Sequence, residues 1–476
     1  MHGYVIVVVS PVGLWMFRRV RAACTVGPAS GRGEVVREIL KLGCRVFRVN
    51  FSHGSKEVWR EWVSIVRDAA AEEGVEVVLI GDLKGRSVRV GYLDKPRSIR
   101  EGEVAEFCIH GKKGEECIPV DSREFFKLVS EGDILVTDDG RATLEVLKVE
   151  DERVKTRALN NMVISPRKSI VVRGKDVKLG NYVEANRETI LTALKLGFDF
   201  LGLSFVGSAD DVYAVKEFLR NEGAGDVGVI AKIETPSAVV NVKEIISAAD
   251  AVLVARGDLG MHFSLEKVPQ LQSRIVETAS IFGKPVIVAT QLLGSMIEEP
   301  IPSRSEIVDI MTCVKEGVDV LLLTGETAVG KHPVEAVRWL VKTINTYEKE
   351  GTWVRRELPY NDLSDRFAHG VVTLSEYLGA KIGIFTKTGN MTYRIARYRP
   401  KSQILAATND RKTLKKLILL WGTTPMYVEA EDYQDGLHQL EKTLIEKRYV
   451  KEGEILILTY GLIDEPSHII KILQIQ

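Results

Sequence analysis

The chain of 476 residues carries 65 basic and 65 acidic residues, so its formal net charge is zero. This balance argues against a broad nucleic-acid-binding surface or a polybasic membrane-binding surface, because both need a local excess of Lys and Arg. With 45% hydrophobic and 27% charged residues, the composition excludes a disordered or fibrous chain.

An apolar segment, residues 1–17, opens the chain and contains Pro11 and Gly13. It is too short and too interrupted to cross a bilayer as a helix. It also lacks the leading positive charge and the small-residue cleavage site of a signal peptide. We therefore predict a leader with no folding role, upstream of a start at Met16.

From residue 18 onward, short apolar runs alternate with helical patterns. Continuous runs such as LLL and VIVA are typical of strands buried on both faces of a parallel sheet. Eight such strands with helices between them predict a (β/α)8 barrel. The predicted strands cover residues 20–26, 45–51, 76–82, 198–205, 227–233, 250–255, 285–290 and 318–323.

More than a hundred residues separate the third predicted strand from the fourth, which is too long for one connection of a barrel. Alternating, turn-rich stretches such as SVRVGYL and RVKTRAL predict antiparallel strands here. We expect an all-β lid over residues 86–181, inserted between barrel segments 18–85 and 182–348. The strand and helix patterns over 349–476 predict a separate α/β domain.

The five cysteines show no metal-type spacing and are odd in number. We therefore expect neither a disulfide framework nor a zinc site, with the reduced cytoplasm as the default location.

Polar side chains collect at the ends of the predicted barrel strands, where catalytic groups of this fold lie. Arg48, Asn50 and Ser52 share one face of the second strand, because side chains alternate along a strand. A guanidinium, an amide oxygen and a hydroxyl together suit a phosphate and a hard cation.

Lys232 and Glu234 also share a face, at the end of an apolar strand. Asp258 follows the next strand, directly after Gly257. A buried ion pair stabilises poorly, so a charged pair at this place favours function over stability. Two carboxylates on neighbouring strand ends suit Mg²⁺, which takes one or two protein carboxylates and completes its shell with substrate and water.

The chain resembles the pyruvate kinase family. The runs TVGPAS, RVNFSHGS, GDLKG, AKIE, VARGDLG, ATQLLGSM, PSRSE and TGETAVG occur in the family's order, and the three-domain layout is similar. The resemblance implies a phosphotransferase of the last step of glycolysis, which moves the phosphoryl group of phosphoenolpyruvate to ADP and gives pyruvate and ATP. It also implies a cytoplasmic homotetramer.

The resemblance implies catalytic roles for three residues. Lys232 neutralises charge on the transferring phosphoryl group, Arg48 clamps the phosphate, and Thr290 assists protonation of the methylene carbon through water. Glu234 and Asp258 would hold Mg²⁺ or Mn²⁺.

Further roles follow from the same resemblance. The backbone at Gly257 and Asp258 would receive the substrate carboxylate. Arg89 and Lys175 match lid positions that hold the ADP phosphates. His53 would lie close to the nucleotide, with a purely local turn contact as the alternative.

A potassium site is implied at Asn50, Ser52, Asp82 and Leu83, all of which can supply oxygen. At Ser87 potassium-requiring members carry glutamate and potassium-independent members often carry lysine, so the need for K⁺ stays open.

A strand-to-helix loop of the last domain, Thr386, Lys387, Thr388 and Gly389, matches the place where the family holds a phosphorylated effector. The alternative is an ordinary turn without a ligand.

Two other functions stay open on the residues alone. Another Mg²⁺-dependent enolate enzyme, such as an aldolase or lyase, would share the carboxylate pair but would not need Arg89, Lys175 or a lid. A catalytically silent ligand-sensing homologue would not need to retain Lys232, Glu234, Asp258 and Thr290 together. ADP-dependent turnover separates the first alternative from the kinase.

Overall fold

The computed structural model describes residues 18–85, 87–109, 117–177, 180–461 and 468–476, so the predicted leader lies outside the described residues. None of the helices in these ranges has the length and apolar character needed to cross a membrane.

The chain enters the barrel through two βα units and a third strand. The strands run parallel, and all six residues of the third strand are buried, as expected where helices cover the outer face and side chains fill the interior. These elements are β1 (Arg21–Val26), α1 (Gly33–Lys41), β2 (Val46–Asn50), α2 (Lys56–Glu72) and β3 (Val78–Leu83).

An all-β lid follows β3. Its elements are β4 (Arg97–Ile99), β5 (Val104–Cys108), β6 (Ile118–Pro119), α3 (Arg123–Leu128), β7 (Ile134–Thr137), β8 (Ala142–Glu150), β9 (Arg153–Ala158), β10 (Met162–Ile164) and β11 (Ile170–Val172). Six strands form one sheet in the order β11-β7-β8-β9-β5-β6, and β10 pairs with β4. Exposed and buried residues alternate along β9, which is the pattern of a strand with one face in water.

The lid contains a disulfide between Cys108 and Cys117, whose Cα atoms are 6.0 Å apart. The expectation that the cysteines form no disulfide therefore needs correction at this pair. The parallel pairing of β5 with β6 sets Cys108 opposite Pro119 and brings the two cysteines together. Spacing along the chain does not show such a pairing, because a disulfide depends on Cα distance and side-chain direction.

The chain then returns to the barrel. The elements are α4 (Tyr182–Leu196), β12 (Phe200–Leu203), α5 (Ala209–Asn221), β13 (Gly228–Ile233), α6 (Pro236–Val240), α7 (Val242–Ala248), β14 (Ala251–Ala255), α8 (Arg256–His262), α9 (Val268–Ile281), β15 (Val286–Ala289), α10 (Arg304–Glu316), β16 (Val320–Leu323), α11 (Gly325–Ala328) and α12 (Pro333–Glu348). The sheet closes in the order β1-β16-β15-β14-β13-β12-β3-β2, so the predicted eight-stranded barrel is confirmed.

The lid rests on the barrel mouth. Val136 and Val171 of the lid pack against Met261 of α8. In the turn Asp138–Gly140, a Cβ added to Gly140 would lie 3.4 Å from the Gly260 carbonyl oxygen. The lid therefore covers the side of the mouth where the last turn of α8 lies.

The C-terminal α/β domain is confirmed as a separate unit. Its elements are α13 (Leu363–Leu378), β17 (Lys381–Phe385), α14 (Asn390–Ala396), β18 (Ile404–Thr408), α15 (Arg411–Leu417), β19 (Thr423–Tyr427), α16 (Tyr433–Glu446), β20 (Ile455–Gly461) and β21 (His468–Gln474). Four parallel strands lie in the order β19-β18-β17-β20, and β21 adds an antiparallel edge that the sequence patterns did not single out.

Candidate active site

The carboxyl ends of β2, β3 and β13 bring four charged side chains together at the barrel mouth. Arg48 Nε donates to Asp82 Oδ2 at 2.7 Å, and Arg48 Nη2 contacts the same oxygen. Lys232 Nζ lies 3.5 Å from Asp82 Oδ1 and 3.3 Å from Glu234 Oε2. Two basic and two acidic side chains therefore share one buried cluster, which we call the mouth cluster (Arg48, Asp82, Lys232 and Glu234).

Lys232 is held as an ammonium ion inside the barrel. Burial lowers the pKa of Lys232, but the negative charges of Asp82, Glu234 and Asp258 raise it by more. The pKa of Lys232 therefore lies above its ordinary value. Its Nζ also donates to Ser204 Oγ at 2.8 Å, and Ser204 Oγ in turn donates to the Leu83 carbonyl at 3.0 Å. A fixed positive charge therefore faces the mouth.

Glu234 is fully buried and is only half satisfied. Its Oε1 accepts from the Phe205 backbone amide at 2.7 Å, whereas no described residue donates a hydrogen bond to Oε2. Burial raises the pKa of Glu234 to about 8, although Lys232 counteracts the rise. A buried carboxylate oxygen without a hydrogen bond calls for an explanation, and an oxygen-seeking cation is one.

Asp258 lies in the first turn of α8 and is half-buried. Its charge raises the pKa values of both Lys232 and Glu234, so it belongs to the same electrostatic environment. Within the described ranges, no three His, Cys, Asp or Glu side chains gather closely enough to hold a metal ion alone. A cation bound between Glu234 and Asp258 would thus need further oxygen atoms from substrate or water.

Thr290 directly follows β15 and has an unusual backbone conformation. Its φ is +69° and that of Gln291 is +53°, both in the left-handed region. The Gly257 amide donates to Thr290 Oγ1 at 2.8 Å, so this amide already has a partner before any substrate carboxylate arrives. The hydroxyl of Thr290 is thereby fixed at the start of α8, next to Asp258.

Comparison with known proteins agrees with this geometry. A family model described as the pyruvate kinase barrel domain matches residues 17–337, and one described as the pyruvate kinase alpha/beta domain matches residues 365–473. The chain belongs to the pyruvate kinase family. Its reaction is the family's transfer of a phosphoryl group from phosphoenolpyruvate to ADP in glycolysis, which decides against the aldolase or lyase alternative.

Individual pyruvate kinases match almost end to end. The enzyme of Aeropyrum pernix is 36% identical over 439 residues, which cover 92% of this chain and 95% of that protein. The enzyme of Thermotoga maritima is 35% identical over 456 residues, covering 94% and 96%. The crystal structure of pyruvate kinase from Pyrobaculum aerophilum has a TM-score of 0.87 at 34% identity and covers 96% of this chain and 99% of that one.

Pyruvate kinases generally use Mg²⁺ and K⁺, and three of the four predicted potassium ligands meet at the mouth. Asn50 lies opposite Asp82 in the pairing of β2 with β3, and Leu83 follows directly. Ser52 lies in the exposed turn beyond, where its amide donates to Asn50 Oδ1 at 3.0 Å.

The three residues that are predicted to bind the nucleotide make contacts with neighbouring protein groups. Lys175 Nζ lies 2.7 Å from Asp133 Oδ2 within the lid, and Arg89 Nη1 donates to the Arg167 carbonyl at 2.9 Å. Exposed His53 lies in the turn after β2, where its backbone carbonyl accepts from Trp59 Nε1 at 2.7 Å.

A cavity of about 580 Å³ separates the lid from the barrel loops after β12 and β13. Lys175 lies in its wall, together with Tyr182 and His262. The cavity leaves room beside Lys175 between the two domains.

In the C-terminal domain, the predicted effector loop contains an internal hydrogen bond. The Gly389 amide donates to Thr386 Oγ1 at 2.8 Å, and Gly389 has a φ of +88°. Lys387 Nζ lies 5.2 Å from the centre of the Tyr433 ring, while Thr388 is exposed. The loop precedes α14, as expected from the strand-to-helix pattern.

Three residues of the site escaped the sequence-based prediction. Ser204 and Phe205 fall inside a predicted strand, but the observed strand ends at Leu203, and Phe205 has a φ of +56°. Arg256 is buried directly before Gly257. The sequence signal for it was an arginine directly after the apolar strand AVLVA. Burying a charge at such a place costs free energy, which favours a functional role.

Proposed function

We propose that Lys232, Glu234 and Asp258 act together as the site that holds phosphoenolpyruvate and a divalent cation during phosphoryl transfer to ADP. The observation that carries the proposal is the buried Lys232 ammonium within ion-pair distance of a carboxylate whose Oε2 accepts no hydrogen bond from the described residues. Groups that already match a charged ligand lower the barrier because they need little reorganisation when charge develops.

The donor chemistry fits Mg²⁺ or Mn²⁺. Glu234 Oε2 and the Asp258 carboxylate are the hard oxygen donors that these ions take. The neighbouring Lys232 ammonium favours an anionic substrate, whose oxygens would complete the shell. When bound, the ion would supply Lewis-acid polarisation and charge neutralisation at substrate oxygens.

Arg48 and Lys232 neutralise the negative charge of the transferring phosphoryl group. Asp82 contacts both cations and so fixes them on the same side of the mouth. Because phosphoryl transfer asks a protein mainly for positioning and electrostatic stabilisation, this fixed pair is the main contribution of the chain.

Thr290 assists protonation of the enolate carbon. Its Oγ1 accepts from the Gly257 amide, which leaves its own proton available to donate. The backbone amides of Gly257 and Asp258, at the start of α8, receive the substrate carboxylate.

The lid supplies the nucleotide contacts. We place Arg89, Lys175 and His53 on the ADP side of the reaction, and lid movement would bring the two lid cations to the mouth and exclude water. K⁺ would be held by Asn50, Ser52, Asp82 and the Leu83 carbonyl, and Ser87 leaves the need for it open.

The assembly, the effector and the location are also proposals, as are the domain boundaries at 85/86, 181/182 and 348/349. The edge strand β21 exposes Ile469, Ile470 and Ile472, which supports self-association into a homotetramer. A phosphorylated effector would bind at Thr386–Gly389, and the enzyme would act in the cytoplasm.

A coupled assay tests the proposal. Pyruvate formation from phosphoenolpyruvate should need both ADP and a divalent cation, and K⁺ is added and omitted in parallel. Glu234→Gln and Asp258→Asn should each raise the Mg²⁺ concentration needed for half-maximal rate, whereas Glu298→Gln on the surface should not. Unchanged Mg²⁺ dependence in both site variants would contradict the assignment.

A further inference from the structure

Directly after β15, two consecutive residues other than glycine lie in the left-handed region. Thr290 has a φ of +69° and Gln291 one of +53°. This conformation is a genuine outlier for a β-branched residue, because the branched Cβ crowds the backbone. Such strain persists only where the surroundings impose it, and it collects at functional sites.

One side chain supplies that constraint. Arg256 is buried, and its Nε and Nη2 donate to the Thr290 carbonyl at 3.1 and 2.9 Å. The same Nη2 donates to the Gln291 carbonyl at 2.8 Å. The planar guanidinium therefore binds both left-handed carbonyl groups at once, which a lysine ammonium cannot reproduce with the same fixed directions.

The other edge of the guanidinium is anchored in α10. Arg256 Nη1 lies 2.8 Å from Asp309 Oδ1 and 2.7 Å from Oδ2. The carboxylate sets the plane of the guanidinium fork through these two contacts. A partner on a neighbouring helix thus orients the group that holds the loop after β15.

The residue after Arg256 grips the opposite side of Thr290. The Gly257 amide donates to Thr290 Oγ1 at 2.8 Å. Residues 256 and 257 therefore fix the carbonyl and the hydroxyl of Thr290 together. Since Thr290 Oγ1 accepts a hydrogen bond from the Gly257 amide, its own O–H proton points elsewhere and can be donated to a group at the barrel mouth.

We propose that Arg256 is a positioning residue for the proton-transfer half of the reaction, which it serves by holding Thr290 in the left-handed conformation. The proposal rests on the proposed role of Thr290. In that step, the π electrons of the enolate form a C–H bond at the methylene carbon while an O–H bond of the donor, Thr290 or the water it orients, breaks. Solvent returns the proton to the donor oxygen, so no oxidant or reductant takes part.

The test separates proton transfer from phosphoryl transfer. The assay follows, by NMR, the exchange of the methyl protons of pyruvate with deuterium from D₂O in the absence of ADP. Each exchange removes a methyl proton to give the enolate and then returns a deuteron, so it reports on the protonation step alone. Arg256→Lys should lower the exchange rate by about 10- to 100-fold, the penalty typical of slight misplacement of a reacting group. The KM for phosphoenolpyruvate should change by less than about threefold, because Arg256 contributes no substrate binding.

Arg399→Lys is the matched control. Arg399 is equally buried, pairs with Asp319 and donates to the carbonyls of Gly317 and Ala396, but it lies away from the mouth. This variant should lose stability and keep the exchange rate. If Arg256→Lys does not fold, Asp309→Ala takes its place, with an expected loss of at least about threefold in exchange.

A second substitution tells the two proposals apart. In a Thr290→Ala background, Arg256→Lys should add less than about a twofold further loss, because its effect passes through Thr290. Equal losses in both backgrounds, or an exchange rate unaffected by the substitution at Arg256 or Asp309, would overturn the proposed role of Arg256. An unchanged exchange rate in Thr290→Ala alone would instead overturn the role of Thr290.

Discussion

Two buried clusters of charge differ in how completely their atoms are paired. Away from the mouth, just before β16, Asp319 accepts from Arg399 Nη1 and Nη2 at 3.0 and 2.7 Å. It also accepts from the amides of Val286 and Trp421, both at 2.9 Å. At the mouth, Glu234 accepts one amide hydrogen bond, and its second oxygen accepts none from the described residues.

The difference indicates what each cluster is for. Asp319 and Arg399 satisfy one another and join the barrel to the C-terminal domain. Burial raises the pKa of Glu234 to about 8, so this group can release a proton to bind a cation. A fully paired buried charge is structural here, whereas an incompletely paired one marks the place where a ligand belongs.

Breaking the fully paired cluster should have the largest effect. Asp319→Ala leaves the Arg399 guanidinium buried without its carboxylate, and arginine cannot shed its proton, so we expect a loss of about 3–5 kcal/mol in the free energy of unfolding. Urea unfolding measures it. Asp250→Ala is the matched control, since Asp250 also accepts a strand amide but its partner Lys216 reaches solvent. Equal losses in both variants would remove the contrast.

Removing the cation of the mouth cluster should act on turnover rather than on folding. Lys232→Met should lower kcat by about 100- to 1,000-fold, because a preorganised charge at the reacting group is lost. The fold should survive, since the raised pKa of Glu234 lets this group stay neutral without the ammonium beside it. Lys216→Met, at a partly exposed ion pair, should leave kcat unchanged in the coupled assay. Retained turnover in Lys232→Met would refute its role.

A smaller effect is expected at Ser204, which joins Lys232 to the Leu83 carbonyl. Ser204→Ala leaves both buried groups short of one hydrogen bond, which should cost about 1–3 kcal/mol of stability. Misplacement of Lys232 should lower kcat by about tenfold. Ser280→Ala removes an equally buried hydroxyl from α9 and should leave kcat unchanged. A loss of stability alone would make Ser204 structural.

The last prediction concerns the pH dependence of stability. The folded protein keeps the Glu234 proton between the ordinary pKa of 4.5 and the raised value of about 8, while the unfolded chain has released it. The contribution of Glu234 to stability is therefore full below pH 4.5 and falls as pH rises through about 8. In EDTA, urea unfolding should show this decline in the wild type and not in Glu234→Gln. Identical pH profiles would contradict the raised pKa.

The barrel strands could be predicted because their continuous apolar runs are typical of strands buried on both faces. The pairing of Lys232 with Glu234 could be predicted from the two-residue period of a strand. The role of Ser204 could not, since apolar patterning does not show that the chain leaves the strand at Leu203.

Features that depend on distant contacts were also out of reach. The Cys108–Cys117 disulfide depends on the pairing of β5 with β6. The hydrogen bonds from Arg256 to Thr290 depend on a left-handed backbone conformation that the residue types do not predict. The ion pair of Lys175 within the lid depends on Asp133, which lies 42 positions earlier in the chain.

Binding of Mn²⁺, followed by its electron paramagnetic resonance signal, tests most directly whether the incompletely paired carboxylate is a cation site. The wild type should bind one divalent ion at the mouth and release a proton from Glu234 when it does so. Glu234→Gln and Asp258→Asn should each lose this binding, while the surface variant Glu298→Gln retains it. Wild-type affinity in both site variants would contradict the account.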